Sequence, residues 1–215
     1  MNDNLFQTQY DVTKKDKIKK FYEKNRIVIF SSIVILLIFI VSLSFYLEDK
    51  KKKRILLSEN YIQAKIYSKN GKNKEAMEIL KEIVLKNDST YSTLSLFLIL
   101  DENLLKNKKE LSSLFDHVLD NNKFDNDVKN LIIFKKVLFE SSYINESDLI
   151  ASIKPLLKEE NLWKPHALLL LGDYFVSKNE YIKAREFYNK VFSIKNLRKE
   201  FYERANSQLI LIKNE

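Results

Sequence analysis

Cysteine is absent from this 215-residue sequence, and glycine and proline occur only twice each. Without cysteine the chain has no disulfide framework, no thiol nucleophile and no thiolate ligand for zinc. Two glycines are too few for the turns and phosphate-binding loops of a doubly wound α/β domain or a small β-barrel. These absences favour an all-helical protein, and they leave the redox compartment open because a cysteine-free chain suits either side of a membrane.

The positive charge is concentrated near the N-terminus. The chain carries a formal net charge of +8, and residues 1–54 hold 12 Lys and Arg against 6 Asp and Glu. The remaining 161 residues contain 25 basic and 23 acidic side chains. Because nucleic-acid binding needs a concentrated basic face that neutralises phosphates, this near-neutral larger part argues against a nucleic-acid partner.

Residues 27–47 form an apolar segment, IVIFSSIVILLIFIVSLSFYL, that contains no charged residue. At about 1.5 Å per residue a helix of this length is about 30 Å long, which matches the hydrocarbon core of a bilayer. We therefore predict a transmembrane helix over 27–47 with the lipid bilayer as a partner, preceded by a basic tail and juxtamembrane helix over 1–26. A buried core helix is the alternative, but in a domain of this size it would carry a polar stripe, which this segment lacks.

A cleaved signal peptide is a second alternative, with Ser42 and Ser44 as the small residues of a cleavage site. Signal peptides have apolar regions of about 7 to 15 residues after a short basic start. Here 26 residues precede a longer apolar run, and the basic sequence KKKKR follows it at 50–54, so an uncleaved anchor fits better. Charge does not decide the orientation, because seven basic residues lie in 7–26 and six lie in 48–67.

The part of the chain after the span contains a recurring spacing of small residues. Ala64 is followed twelve residues later by Ala76, and Gly172 is followed twelve residues later by Ala184. This is the spacing of the helix-turn-helix unit of tetratricopeptide repeats. Small residues let the paired helices approach, and larger residues fill the gap between pairs. Two looser copies, with branched residues in the same positions, fit between the two clear ones.

The sequence therefore predicts an all-α protein with a single N-terminal transmembrane helix followed by a tetratricopeptide-like solenoid of four helical hairpins over 48–215. A nearly continuous helix is expected from about Thr13 to Lys69, where Asn70-Gly71 provides a left-handed stop. The helices expected in the repeat part cover 54–69, 73–86, 89–105, 108–121, 126–142, 146–158, 164–178, 181–194 and 198–213.

No converging set of catalytic or metal-binding residues is recognisable in the sequence. The two histidines, His117 and His166, fall in different predicted hairpins and outside any metal-binding spacing. The two glycines are 101 residues apart, which excludes a phosphate-cradling loop. Asp116, His117 and Asp120 share one predicted helix and are interpreted as an exposed charged patch. We therefore expect no enzymatic activity, no cofactor and no metal ion.

The concave surface of the predicted solenoid is the candidate binding site. The first helix of each hairpin lines that surface, and the repeat register places five side chains on it: Tyr61, Lys65, Phe134, His166 and Asp173. Such concavities bind extended peptide or protein segments. A packing role is the alternative for Tyr61 and Phe134, and Trp163 is interpreted as a packing wedge between repeats.

The order of these parts resembles a bacterial protein family. The chain has a basic N-terminal stretch, one span, and a four-hairpin repeat domain with a late junction that reads Asn161-Leu162-Trp163-Lys164-Pro165. Over nearly its whole length it is similar to the membrane-anchored tetratricopeptide-repeat-like proteins typified by the ancillary subunit of the SecYEG translocon. This resemblance implies a single-pass protein of the bacterial inner (cytoplasmic) membrane with a cytoplasmic N-terminus and a periplasmic repeat domain. It also implies a role that links the translocon to periplasmic chaperones.

The leading hypothesis is a membrane-anchored adaptor whose repeat domain binds other proteins, as an ancillary factor of the Sec translocon. The alternative is a structural subunit of a membrane complex that forms homo-oligomers. In that case the span and the lysine-rich helix drive self-assembly, and the repeats pack against copies of themselves. A membrane enzyme is a third class, for which the sequence offers no candidate residues.

Overall fold

The computed structural model describes the backbone of residues 4–213 and the side chains of residue 17 and residues 19–213. Residues 1–3 of the predicted basic tail lie outside this part. The described part of the chain is an all-α structure, with nine α-helices, one 3-10 turn and no β-strand. In chain order the elements are α1 (Asn4–Lys69), α2 (Asn73–Val84), α3 (Tyr91–Asp101), α4 (Lys108–Asn121), α5 (Asn126–Glu140), α6 (Glu146–Ile153), the 3-10 turn (Lys154–Leu157), α7 (Lys164–Ser177), α8 (Tyr181–Phe192) and α9 (Lys199–Leu211).

The chain divides into two compact units. The first unit extends to Leu56 and consists of α1 up to that residue, whereas the second unit begins at Leu57 and contains the end of α1 and all later helices. The continuous helix expected from Thr13 to Lys69 is present and begins earlier, at Asn4. It starts earlier because no glycine or proline precedes Gly71 to interrupt it.

The apolar segment over 27–47 is helical throughout, and its large apolar side chains are exposed. None of the most apolar window of this helix, with a mean hydropathy of 3.0, is buried within the protein. The Ser31 and Ser32 hydroxyls donate to the carbonyl oxygens of Ile27 and Val28 at 2.6 and 2.8 Å, which satisfies them within the helix. A buried core helix is therefore not supported, and by length and composition this helix is able to cross a bilayer.

Residues in the left-handed conformation follow five helices of the second unit. They come after α1, α2, α3, α7 and α8 and are Gly71 (φ 77°), Asn87 (58°), Asn103 (49°), Asn179 (60°) and Asn196 (54°). Asparagine tolerates this region better than other residues with a side chain. After α7, the Glu180 amide donates to the Phe175 carbonyl at 2.9 Å, which closes the helix end. Asparagine thus performs at four positions the role that glycine has at Gly71.

Asparagine side chains also begin helices. The Asn107 side-chain oxygen accepts from the amides of Lys109 and Glu110 at 3.1 and 3.2 Å, at the start of α4. At the start of α6, the Asn145 side-chain oxygen accepts from the Asp148 amide at 2.9 Å. Each bond satisfies amides that have no partner within the helix, so the position of the asparagine sets the start of the helix.

Two of the predicted helix ranges are wrong at their ends, and the others agree within two residues. The helix expected over 146–158 stops at Ile153 and continues as a 3-10 turn, because Pro155 has no N–H to donate to the preceding helical turn. The helix expected over 89–105 covers only Tyr91–Asp101. At its start the Asp88 carboxylate accepts from the Thr90 and Tyr91 amides, and at its end Asn103 turns the chain.

Two hydrophobic clusters form the core of the second unit. The first is built from the end of α1 and from α2 to α4, around buried residues such as Ala64 and Phe115. The second is built from α6 to α9 and the 3-10 turn. Ile132 of α5 belongs to the first cluster and Val137 to the second. These residues are five positions apart, so they point in different directions from the helix, and α5 contributes to both clusters.

Small residues mark the closest helix pairs. α7 packs most closely against α8, where Gly172 lies against the ring of Tyr188. In the first cluster the closest pair is α2 with α3, where Ser92 and Ser95 are fully buried and the Ser92 hydroxyl donates to the Ile83 carbonyl at 3.1 Å. The predicted repeat register pairs α3 with α4 instead. Those two helices make a smaller contact, because the small residues of α3 lie on the side of α2.

Replacing Gly172 with alanine is expected to destabilise the second unit by about 1–3 kcal/mol. A Cβ atom at this position would approach the Tyr188 ring more closely than van der Waals contact allows, and that ring is fully buried. The measurement is urea unfolding of the full chain in detergent micelles, followed by circular dichroism. Tyr188→Leu provides the matched background, because it removes the ring. In the Tyr188→Leu background, Gly172→Ala should leave the free energy of unfolding unchanged or raise it slightly. If Gly172→Ala lowers the free energy of unfolding equally in both backgrounds, the packing account is contradicted.

Candidate protein-binding surface

The structure brings two of the five residues expected in the groove, Phe134 and His166, into contact. The Phe134 and His166 ring centroids are 5.5 Å apart, and Asp173 lies on the same helix as His166, seven residues later and therefore on the same face. Tyr61 and Lys65 lie near the end of α1, within the predicted helix over 54–69. The Tyr61 ring packs against the first cluster with its centroid 6.3 Å from that of Tyr91, and Lys65 is exposed.

His166 lies in an aromatic cluster formed by Phe134 of α5, Trp163 and His166 at the start of α7, and Phe201 of α9. The imidazole centroid is 4.8 Å from the Trp163 ring and 4.7 Å from the Phe201 ring. Trp163 also contacts Phe134 at 5.4 Å, which agrees with its interpretation as a packing wedge. Phe201 was not predicted, because it lies on α9, the helix that follows the last of the four predicted hairpins.

The environment of His166 favours its neutral form. Burial lowers the pKa of His166 from 6.5, the positive charges of Arg198 and Arg204 lower it further, and Glu200 opposes them. The Nδ1 atom is buried and has no hydrogen-bond partner among the described residues. An unpaired buried polar atom costs about 1–3 kcal/mol, and a charged imidazole would cost more. The cluster is therefore held together by packing of the rings and not by a hydrogen bond to the histidine.

Asp173 connects three helices through its carboxylate. The Tyr188 hydroxyl of α8 donates to one oxygen at 2.7 Å, and the Arg204 guanidinium of α9 donates to the other at 2.8 Å. Burial raises the pKa of Tyr188, and the hydrogen bond to Asp173 raises it further, so the phenol stays protonated as the donor. Both oxygens of Asp173 are thus occupied by neighbouring helices, which gives this predicted groove residue a structural role.

A cleft of about 720 Å³ opens between the start of α5 and the loop after the 3-10 turn. It is lined by Asn126, Asp127, Lys129, Asn130, Ile133, Pro155, Lys158, Glu159, Glu160 and Asn161. Among the described residues, the side-chain amides of Asn126 and Asn130 have no hydrogen-bond partner. The cleft was not predicted, because its two walls are separated by more than 20 residues in sequence and meet only once α6 folds back.

Glu140 is a buried carboxylate that the sequence analysis also missed. It is 6% exposed, accepts a hydrogen bond from the Ser112 hydroxyl of α4, and lies 3.7 Å from the Lys136 ammonium. Burial raises the pKa of the nearby Tyr143 to about 12, with a further contribution from the Glu140 charge. These contacts join α4 to α5. No group of three or more His, Asp or Glu residues in the described part of the chain is placed to hold a metal ion.

No family model, curated protein or solved structure matches this chain. The resemblance to the membrane-anchored tetratricopeptide-repeat-like family therefore rests on the sequence pattern.

The stability of the second unit is expected to fall as the pH drops below 6.5, the ordinary pKa of histidine, because the pKa of His166 is lowered in the folded state. Between the two pKa values the unfolded chain binds a proton that the folded chain does not, so the free energy of unfolding decreases with falling pH. The urea midpoint of the full chain in detergent, measured from about pH 7.5 to about pH 5, reports this change. The His166→Gln variant should lose this pH dependence of the urea midpoint, whereas the His117→Gln variant should keep it. The reverse result would show that the effect does not arise in the aromatic cluster.

Replacing Asp173 with alanine is expected to destabilise the fold by about 1–3 kcal/mol, because the buried Tyr188 hydroxyl loses its acceptor. Arg204→Ala should cost at most about 1 kcal/mol, since the arginine side chain is 58% exposed and its ion pair is screened by water. Urea unfolding of both variants gives the comparison. Equal losses would mean that Asp173 acts through the arginine and not through the tyrosine.

Proposed function

We propose that this protein is a single-span membrane-anchored adaptor whose tetratricopeptide-like helical domain binds other proteins. The observation that carries the proposal is the uncharged segment over 27–47, whose apolar side chains are exposed. An exposed apolar surface of this size is unstable in water, and a bilayer is the environment that covers it. The second unit is covalently joined to this segment, so any protein that it binds is held at the membrane.

The ends of the apolar segment support a fixed position in the bilayer. Charged residues begin directly after it, where Lys52 pairs with Glu48 at 2.8 Å and Lys53 pairs with Asp49 at 2.7 Å. We place the N-terminus in the cytoplasm and the second unit in the periplasm, at the inner membrane of a bacterium, on the basis of the family resemblance. A long domain of near-neutral charge is compatible with export, because long domains are translocated largely regardless of charge.

The partner surface that we propose consists of the aromatic cluster and the cleft at the start of α5. Free side-chain amides such as those of Asn126 and Asn130 offer both a donor and an acceptor, which suits the backbone of an extended peptide segment. The cleft also carries charges of both signs, from Asp127, Lys129, Lys158, Glu159 and Glu160. The partners proposed from the resemblance are the Sec translocon and periplasmic chaperones.

A binding role is favoured over catalysis by the way the clustered polar side chains are used. The carboxylates of Asp173 and Glu140 are engaged with neighbouring helices, through Tyr188 and Ser112 among others. We therefore propose no enzymatic activity and no cofactor for this protein.

A structural subunit that self-assembles is the second candidate function. The observation in its favour is the exposure of isoleucine side chains on the last turns of α1, where Ile62 and Ile66 are 54% and 52% exposed. The two functions are compatible if the adaptor works as an oligomer.

Crosslinking in intact membranes followed by affinity capture of the full chain tests the adaptor function. We expect proteins other than the chain itself to be recovered, and we expect the joint change Asn126→Ala, Asn130→Ala to lower their yield about tenfold, as the loss of two hydrogen bonds to a partner would. The matched control is Asn189→Ala, an exposed asparagine on α8 outside the cleft.

Recovery of the chain alone would reject the adaptor function and favour the structural subunit. Extraction of the same membranes at alkaline pH tests the anchor separately, because a transmembrane helix stays with the lipid. Release of the chain into the soluble fraction would reject the membrane-anchored part of the proposal.

A further inference from the structure

Five basic residues follow one another shortly after the apolar segment, and we name them the basic segment: Lys50, Lys51, Lys52, Lys53 and Arg54. All five are exposed and belong to the uninterrupted helix α1. At about 100° per residue, five consecutive positions surround the helix on every side. Positive charge therefore faces outward in all directions beyond one end of the apolar segment.

With 27–47 in the hydrocarbon core of a bilayer, the basic segment lies at the depth of the lipid headgroups. Lys50 and Arg54 follow Leu47 by three and seven residues, which places their Cα atoms about 5 and 10 Å beyond the apolar segment along the helix axis. The headgroup region extends about 5–8 Å beyond the hydrocarbon core on each side. This depth rests on the membrane anchor of the proposed function.

The direction of the helix turns these basic side chains back toward the bilayer. In an α-helix every Cα–Cβ bond tilts toward the N-terminus, and after the span that direction leads back to the headgroups. The ion pairs agree with this tilt, because the Lys52 ammonium reaches Glu48 and the Lys53 ammonium reaches Asp49, one turn nearer the apolar segment. Before the span the same tilt leads away from the lipid.

The charge at this end of the span stays positive when its acidic residues are included. Glu48 and Asp49 are neutralised by their lysine partners, and Lys50 and Lys51 have no ion pair among the described residues. Residues 48–54 therefore have a net charge of +3. The seven residues before the span have a net charge of +2, and their side chains tilt away from the headgroups. The stronger attraction for anions is thus at the end that carries the basic segment.

We propose that the basic segment binds the headgroups of anionic phospholipids in the leaflet where the span ends. A lysine ammonium pairs with a phosphate as a point charge and demands no particular geometry, which suits mobile lipids around a helix. A zwitterionic lipid carries a cationic group beside its phosphate, so lipids with a net negative charge are selected. The depth favours lipid over an acidic protein segment, because residues within the headgroup layer are surrounded by lipid.

A fluorophore on a single cysteine measures this selection, since the chain has no cysteine of its own. The label is attached to the full-length variant Tyr46→Cys, at a 63% exposed position near the end of the apolar segment, and the chain is reconstituted in phosphatidylcholine vesicles. Nitroxide-labelled phosphatidylglycerol and nitroxide-labelled phosphatidylcholine are compared as quenchers at equal mole fraction. We expect the anionic lipid to associate with the labelled site about fivefold more strongly, the ratio that one basic side chain near an anionic surface supplies.

This preference should disappear when three residues of the basic segment are changed together, Lys50→Gln, Lys51→Gln and Arg54→Gln. Lys52 and Lys53 then remain, neutralised by their acidic partners. The preference should persist in a matched control with three changes before the span, Lys20→Gln, Lys24→Gln and Arg26→Gln. All six residues are exposed, so circular dichroism should show unchanged helix content. Raising the salt concentration to about 0.5 M should weaken the preference by screening the charges.

Equal quenching by the two lipids in the chain with its basic segment intact would overturn the proposal and leave an acidic protein segment as the other occupant. A preference that survives the three changes in the basic segment, or the added salt, would overturn it as well. Alkaline extraction of the vesicles separates this failure from that of the anchor. A chain that stays in the vesicles without a lipid preference lacks only the headgroup binding, whereas a chain that is released lacks the membrane anchor of the proposed function.

Discussion

Water cannot surround the apolar side chains over 27–47 without a large loss of free energy, and the helix that carries them buries none of its most apolar window within the protein. The Ser31 and Ser32 hydroxyls of this segment donate to its own carbonyl oxygens, so these two polar side chains need no bond to solvent. A bilayer matches both properties. The proposed membrane location and the proposed adaptor role both depend on this match.

The second unit is stabilised by contacts between helices that are close in sequence. Each of its two clusters combines consecutive helices, and α5 contributes to both. Polar side chains reinforce the packing where two helices meet, as Glu140 does with Ser112 and Asp173 does with Tyr188. These buried hydrogen bonds fix which helix faces meet, because a shifted arrangement would leave the carboxylates without partners. The position of the proposed partner surface follows from them.

Helix positions were predictable because their signals are local. Asn107 and Asn145 begin helices through bonds to amides two or three residues later, and Asn70-Gly71 ends α1, so the sequence spacing alone contains the information. Pro155 shows what was overlooked, since a proline nine residues into a predicted helix removes a donor and ends the α-helix. The candidate site was harder to predict from the sequence. The contact between Phe134 and His166, the position of Phe201 and the cleft all depend on how distant helices fold back, which no local spacing encodes.

The left-handed asparagines also influence the chain before it folds. Asparagine has a side chain that restricts the backbone, whereas glycine leaves it free, so a stop built on asparagine loses less conformational entropy when it becomes ordered. The connections between successive helices are therefore short and already restricted in backbone conformation where they contain a left-handed asparagine, at Asn87, Asn103, Asn179 and Asn196. Short connections favour local contacts, which form faster than distant ones. A chain with two glycines can in this way assemble neighbouring helices rapidly, beginning in either cluster.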